Sequence, residues 1–558
     1  MFIGIDIGGT FTDGVLVDGQ KIIKSVKVET GVDLSISIHN ALEEILIGVK
    51  PQEIDQVNLS TTLITNLILQ GNLPETGLLL LPGPGANPHH LPFAAETRIL
   101  QGSVDYRGRV IEPVDSSEIM EACSYFQQKQ IGHMVVACKF SQRNPSLELE
   151  VVNFIRKHFP AFEVMASHRA SGLLNWVCRA NGAYYTLATG EACQDFQDKI
   201  TSTLQQLKLD CPLSILKADG GTLPLDVSLR YPLETIFSGP AASTLGALAT
   251  TGERITAVVM DIGGTTTDMA LLLDGKPLLA ERGTFIKGHP IPLRSLAVAS
   301  LSIGGDSSLR IKDGAICLGK REGPALCAGG PRLTVTDALV HIGYSDFPSS
   351  EPIKKEMEMM AASLDTEPLD FCAQVLELFT DKLKTKLEEM FKIWEEEPAY
   401  RIWQVLSAQK KHPHKIICIG GPAAGIGQYL ALKKNREVIV PPYHSTANAI
   451  GAAMARPTMK LDYFADTERK SYSTNIGGLQ GALDRPPSNI MDARKIVQDL
   501  FDKTAKEWNL PESATEFTYE ECFNIVRGWA TTGKIFQIGL QTVPGIRGFV
   551  EEAVKSHE

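Results

Sequence analysis

Two octets in this chain are almost the same: D-I-G-G-T-F-T-D at residues 6–13 and D-I-G-G-T-T-T-D at 261–268. They differ at one position, Phe11 against Thr266. Each follows a short apolar run, Phe2, Ile3 and Ile5 in one copy and Ala257–Met260 in the other, and each precedes another. The pattern reads as strand, tight turn, strand. Gly8-Gly9 and Gly263-Gly264 remove Cβ atoms at the turn and permit positive φ, so an anion can approach the peptide N–H groups. Thr10, Thr12, Thr265 and Thr267 add hydroxyl donors. Asp6 and Asp261 stand at the strand ends, where a carboxylate faces a cleft. Two such tips opposed across a cleft would grip a polyphosphate from both sides. Asp6 and Asp261 beneath it would suit hydrated Mg²⁺, which takes few protein ligands. Asp13 and Asp268 close each octet; they either fix the hairpin or face substrate.

A third element is needed for a base and ribose. In "HKIICIGGPAAGIG" (414–427), Ile416–Ile419 read as a buried strand. Gly420, Gly421 and Pro422 then form a turn on which a flat nucleoside could lie, with a helix starting near Ala424.

These stretches resemble the actin, heat-shock chaperone and sugar kinase superfamily. More closely, the chain resembles the hydantoinase A and 5-oxoprolinase family. Besides the three stretches above, the resemblance rests on "STTLITN" (60–66), "KADGGTLPL" (217–225), "FSGPAAS" (237–243), "GPALCAGG" (323–330), "LTVTDA" (333–338) and "ANAIGAA" (447–453). It runs through about residues 2–455. It implies an α/β fold of two duplicated ribonuclease H-like ATPase lobes flanking a nucleotide cleft, with ATP and Mg²⁺ as cofactors. It also implies ATP-driven opening of a cyclic amide, or activation of a ketone as in the related acetone and acetophenone carboxylase subunits. A small-molecule substrate and a separate hydantoinase B-like partner subunit follow from the same resemblance. One stretch departs from the family pattern. In "ASLSIGGDSS" (299–308), Ala299 stands at the apparent position of a family histidine, Ser302 replaces a glycine and Asp306 enters the glycine cluster. This leaves open a carboxylase subunit, a small-molecule kinase or a nucleotide-switched binding protein.

The elements that must position these residues divide the 558-residue chain into three expected parts. These are a first lobe at 1–175, a second at 176–456 and a C-terminal extension at 457–558. Helical spacing is read at 31–48, 144–159, 180–207, 238–249 and across 352–408, and a loop-heavy insertion at 77–110. The extension carries no chemistry-bearing motif. Its "GWATTGKI" (528–535) falls short of a phosphate-binding loop, because Ile535 stands where a hydroxyl should meet Mg²⁺; a turn between helix and strand is expected there.

The remaining features bound the function. Net charge is −11, from 54 basic and 65 acidic side chains, which argues against a nucleic-acid partner. No long apolar run suggests a membrane span. The first residues look like a strand and not a signal peptide. The ten cysteines include no C-x-x-C pair and suit a reduced, cytoplasmic setting. His89-His90, His412 and His414 sit beside prolines and read as surface histidines.

Overall fold

A computed structural model describes all residues except 32, 253–254, 281–282, 346, 397–411, 544 and 552–558. Both octets form antiparallel hairpins, Phe2–Ile7 with Phe11–Asp18 and Ala257–Ile262 with Thr267–Leu273. Their registers are equivalent: Asp6 faces Asp13 and Ile7 faces Thr12, while Asp261 faces Asp268 and Ile262 faces Thr267. On its other side each first strand pairs in parallel with a further strand, Gln56–Thr61 in one sheet and Lys415–Ile419 in the other. The likeness thus extends beyond the hairpins to the sheets around them.

The sheets run through residues far apart in sequence. Strands Leu213–Leu216 and Thr222–Pro224 complete the first sheet, so the expected division at 175/176 does not follow a sheet boundary. Strands Glu437–Ile439, Val298–Leu301 and Lys276–Pro277 complete the second.

Alternation along the strands decides what each face meets. In the first strand Ile3, Ile5 and Ile7 pack in one core with Ile38, Leu42 and Ile45 of helix Leu34–Leu46. Gly4 and Asp6 therefore face the other way, toward helix Ala447–Met454. The second sheet repeats the arrangement. Val258, Met260 and Ile262 join a core with helix Pro368–Glu395, while Ala257 and Val259 join a core shared by both sheets. Asp261 follows the parity of Ala257 and Val259. Residues directly opposite on paired strands share a face, so Asp13 and Asp268 also turn inward.

Two helices fill the layer between the sheets, Ser238–Thr251 and Ala447–Met454. They cross with backbones nearly touching. A Cβ on Gly246 would lie 1.9 Å from the Ala447 carbonyl oxygen, and one on Gly451 would lie 1.9 Å from that of Ala242. Asn58 of the first sheet donates to the Ala452 carbonyl at 2.8 Å. Small side chains let the layer stay thin, and its thinness lets the sheet ends approach each other.

The expected loop-heavy insertion at 77–110 contains ordered structure. Thr76–Leu81 and Glu96–Ile99 join His133–Cys138 and Glu163–Ala166 in a four-stranded parallel sheet. The Gly- and Pro-rich segment supplies only its connections. The long helix at 180–207 is present as Trp176–Gln206, despite Gly182 and Gly190. Beyond residue 457 lies a five-stranded antiparallel sheet, covered by helix Ile490–Glu507. Its two longest strands, Thr515–Arg527 and Ala530–Thr542, form one hairpin. The "GWATTGKI" stretch is the tip and returning strand of this hairpin, so the turn joins two strands and not helix to strand. Trp529 stands fully exposed at the tip.

The tight crossing of the two helices leaves no room for a side chain. Gly246→Val or Gly451→Val should cost about 3 kcal/mol or more, at or above the upper end of overpacking penalties. Chemical denaturation measures this, and a loss below about 1 kcal/mol would show that the helices part easily.

Candidate functional site

The strand parity places four carboxylates in one narrow layer, and Asn448 stands among them. Its carboxamide Nδ2 donates to Asp261 Oδ2 at 3.1 Å, and the same side chain is near enough to Asp6 to hold its carboxyl down against burial. One side chain thus bonds the leading carboxylate of one octet and influences that of the other. Asn448 lies in the first turn of helix Ala447–Met454, where it overhangs the ends of both sheets.

The local surroundings differ between the copies. Burial pushes Asp6 up to about 6, with the Ser60 hydroxyl pulling it back and the Asp13 carboxylate adding to the rise. Burial pushes Asp261 up to about 7, and the next largest cause is the facing Asp268 carboxylate. The difference has a visible origin. Asp13 faces Lys27 across the next strand, and the Lys27 ammonium lies 2.5 Å from Asp13 Oδ1. Asp268 faces Ser300 at the corresponding place, a hydroxyl that lowers its carboxyl where Asp13 has an ammonium. The Ser243 hydroxyl, in the first turns of helix Ser238–Thr251, also pulls Asp261 back while donating to the Pro240 carbonyl at 3.0 Å.

The hairpin tips are closed by equivalent bonds: Gly8 N donates to the Phe11 carbonyl and Gly263 N to the Thr266 carbonyl, each at 3.0 Å. Gly9 and Thr265 are exposed at the tips, while Gly8, Thr10, Gly263 and Gly264 are partly so. Thr12 and Thr267 depart from the expectation. Both are fully buried. The Thr12 hydroxyl is 3.0 Å from that of Thr30, and the Thr267 hydroxyl donates to the Ile303 carbonyl at 2.9 Å. Strand parity turns these threonines away from the tip and gives them a role in holding it.

The turn at 420–422 reaches the second octet. Gly420 has φ +99°, and a Cβ there would lie 2.3 Å from the Ile262 carbonyl oxygen and 2.9 Å from Asp261 Oδ1. Gly420 N donates to the His444 carbonyl at 2.8 Å, which fixes the turn against the start of the Asn448 segment. Gly421 has open space where a Cβ would project. Pro422 precedes helix Ala423–Leu432. By register, the equivalents of Gly420 and Gly421 in the first sheet are Thr61 and Thr62. The duplicated frame therefore has a glycine turn on one side and two hydroxyl-bearing residues on the other.

Asn448, Ser243, Ser60, Lys27 and Ser300 carried no chemical assignment in the sequence. Asn448 and Ser243 lie in "ANAIGAA" and "FSGPAAS", which carry the family resemblance but do not say which polar group meets the octets. Asp219 caps its own turn, accepting from Gly221 N at 2.9 Å and pairing with Lys217 at 3.2 Å. Asp337 likewise caps helix Val335–Ile342.

A protein-family model described as hydantoinase/oxoprolinase matches residues 179–461, and one for the N-terminal region of the same proteins matches residues 2–159. The chain belongs to the hydantoinase/oxoprolinase family. Among curated relatives, the caprolactamase subunit alpha of Pseudomonas jessenii is 26% identical over 61% of this chain and 54% of its own. The chain spans little more than half the length of the first such relatives. Two solved structures share the fold. A nucleotide-free acetone carboxylase has a TM-score of 0.71 at 17% identity, covering 99% of this chain and 88% of that one. The ATP-dependent caprolactamase from Pseudomonas jessenii has 0.70 at 18%, covering 97% and 87%. Among the described residues no helix is long and apolar enough to cross a membrane.

Asp6 and Asp261 hold protons in the folded chain at pH values where the unfolded chain has released them. Their contribution to stability is therefore lost as pH rises from about 4 through 7. Asp261→Asn should raise the melting temperature more at pH 8 than at pH 5. Equal shifts at both pH values would show that Asp261 is not burdened by its surroundings.

Proposed function

We propose that this chain is the ATP-hydrolysing part of an enzyme that activates a carbonyl group by phosphorylation, with a cyclic amide as substrate. The observation that carries this reading is the pair of equivalent octets brought together across Asn448, with the 420–422 glycine turn on one side. In this reading the two sheets are duplicated ribonuclease H-like lobes, one within 1–175 plus the strands at 213–224 and the other within 176–456, with 457–558 as an extension. The tips at Gly8, Gly9 and Thr10 and at Gly263, Gly264 and Thr265 hold the phosphates through backbone N–H groups. Gly420, Gly421 and Pro422 take the adenosine.

Asp6 and Asp261 fit the needs of Mg²⁺, which accepts one or two carboxylates and fills its remaining positions with water and phosphate oxygens. When bound, the ion supplies positive charge that stabilises both carboxylates and the phosphates. Asn448 orients Asp261 and Asp6 toward each other, and Lys27 neutralises Asp13. Asp268, with no cation opposite, is free to face the reacting end of the substrate. The lactam carbonyl oxygen attacks the γ-phosphorus, a new P–O bond forms and ADP leaves. Water then adds to the activated carbon, the C–N bond breaks with protonation of nitrogen to leave an acyl phosphate, and a second water displaces phosphate to give the carboxylate. The protein's task in such transfer is positioning and charge neutralisation.

A ketone as the activated carbonyl is the second reading, supported by the fold shared with acetone carboxylase across almost the whole chain. Either reading includes a hydantoinase B-like partner subunit, because the relative named caprolactamase subunit alpha is itself a subunit. A cytoplasmic setting follows from the reading of its thiols.

Phosphate release from MgATP, measured with the chain and its natural partner, decides between the two. Stimulation by lactams or 5-oxoproline and not by ketones supports the first reading, and the reverse supports the second. Asp6→Asn with Asp261→Asn should lower turnover at least ~100-fold while the protein stays folded. Undiminished turnover would remove these two residues from the chemistry.

A further inference from the structure

The segment Gly304–Asp306 lies where the second hairpin meets the glycine turn. Gly305 N donates to the Gly263 carbonyl at 2.9 Å, and Asp306 N to the Gly264 carbonyl at 2.8 Å. A Cβ on Gly264 would fall 2.5 Å from Asp306 Oδ2, so the carboxylate lies directly against the tip. On its other side, a Cβ on Gly305 would fall 2.4 Å from Pro422 Cγ. The segment is therefore clamped between the tip at 263–264 and the turn at 420–422. It is also fixed from behind, since Thr336 N donates to the Gly305 carbonyl at 2.8 Å and Gly304 N to the Ser307 hydroxyl at 2.9 Å.

One cation steadies the carboxylate. Arg321 Nε donates to Asp306 Oδ2 at 3.0 Å. Among the described residues no hydrogen bond engages Oδ1, and both side chains retain some exposure, 17% for Asp306 and 26% for Arg321. The result is an oriented, charge-balanced acceptor on a rigid loop. A carboxylate repels a phosphate, so it does not serve the tip it touches. It does accept strongly from neutral hydroxyls. The part of a nucleotide that joins phosphate to base, and that carries two neighbouring hydroxyls, is the ribose. Acidic side chains take ribose hydroxyls in other nucleotide folds for the same reason.

We propose that Asp306, held by Arg321, is the ribose-reading residue of this site and makes it prefer ribonucleotides to their deoxy forms. This rests on the nucleotide reading given above. It gives a role to the aspartate that departs from the glycine cluster of the family pattern. Arg321 is a positioning residue that acts through Asp306.

Calorimetry on the full chain with MgATP, 2′-deoxy-ATP and 3′-deoxy-ATP tests it. The wild-type chain should bind ATP at least ~10-fold more tightly than one or both deoxy forms, the loss expected when an acceptor is left without its donor. Asp306→Asn should shrink that preference below about 3-fold by weakening ATP alone, since an amide replaces the charged acceptor. Arg321→Gln should shrink it as well, with equal effects on ATP and ADP. If Asp306→Asn fails to fold, as judged by its melting curve, the Arg321→Gln titration carries the test. Three results would overturn the proposal: no preference in the wild type, full preference retained in Asp306→Asn, or Arg321→Gln weakening all nucleotides with the preference intact. A wild-type chain that binds no adenine nucleotide at all would instead overturn the nucleotide reading beneath it.

Discussion

Like charges resist being brought together, and this fold brings four carboxylates into one layer. Asp6 faces Asp13, Asp261 faces Asp268, and the two pairs point at each other across a pair of thin helices. Such facing pairs are unfavourable in an ordinary sheet. Burial worsens the arrangement, which is why both leading carboxyls are driven upward. Asn448, Ser60, Ser243, Ser300 and Lys27 soften it without abolishing it. Such buried, mutually repelling carboxylates cost stability, and they are concentrated at this one place.

The same constraint explains the small residues around it. The carboxylates converge only if the sheets converge, and the sheets converge only if the helices between them cross backbone to backbone. Alanines and glycines at 240–251 and 447–454 meet that demand. Close packing of these segments therefore bears on the arrangement of the carboxylates as much as the polar groups they carry, Ser243 and Asn448. The close approach of Gly246 to Ala447 and of Gly451 to Ala242 keeps the layer between the sheets thin.

What could be read from the sequence was what is local. The octets announce their turns and their duplication within a few residues. The turn at 420–422 and the helix after it are equally local. The threonine hydroxyls were misjudged because parity at positions 12 and 267 is a property of the sheet's buried face, which the repeated motif alone did not reveal. Asn448 was hidden because its partners lie 187 residues away in one octet and farther in the other. Asp306 was visible as an oddity, but its contact with Gly264 and its pairing with Arg321 needed the folded chain. The strands at 76–81 and 96–99 were obscured by the glycines and prolines of their connections.

The two halves of the frame are similar but not interchangeable. A cradle with identical walls would accept an elongated guest in either sense, and half of its encounters would be unproductive. Here one wall ends in Gly420 and Gly421 and the other in Thr61 and Thr62, while an ammonium stands beside Asp13 and a hydroxyl beside Asp268. The frame these two sheets make thus has a head and a tail.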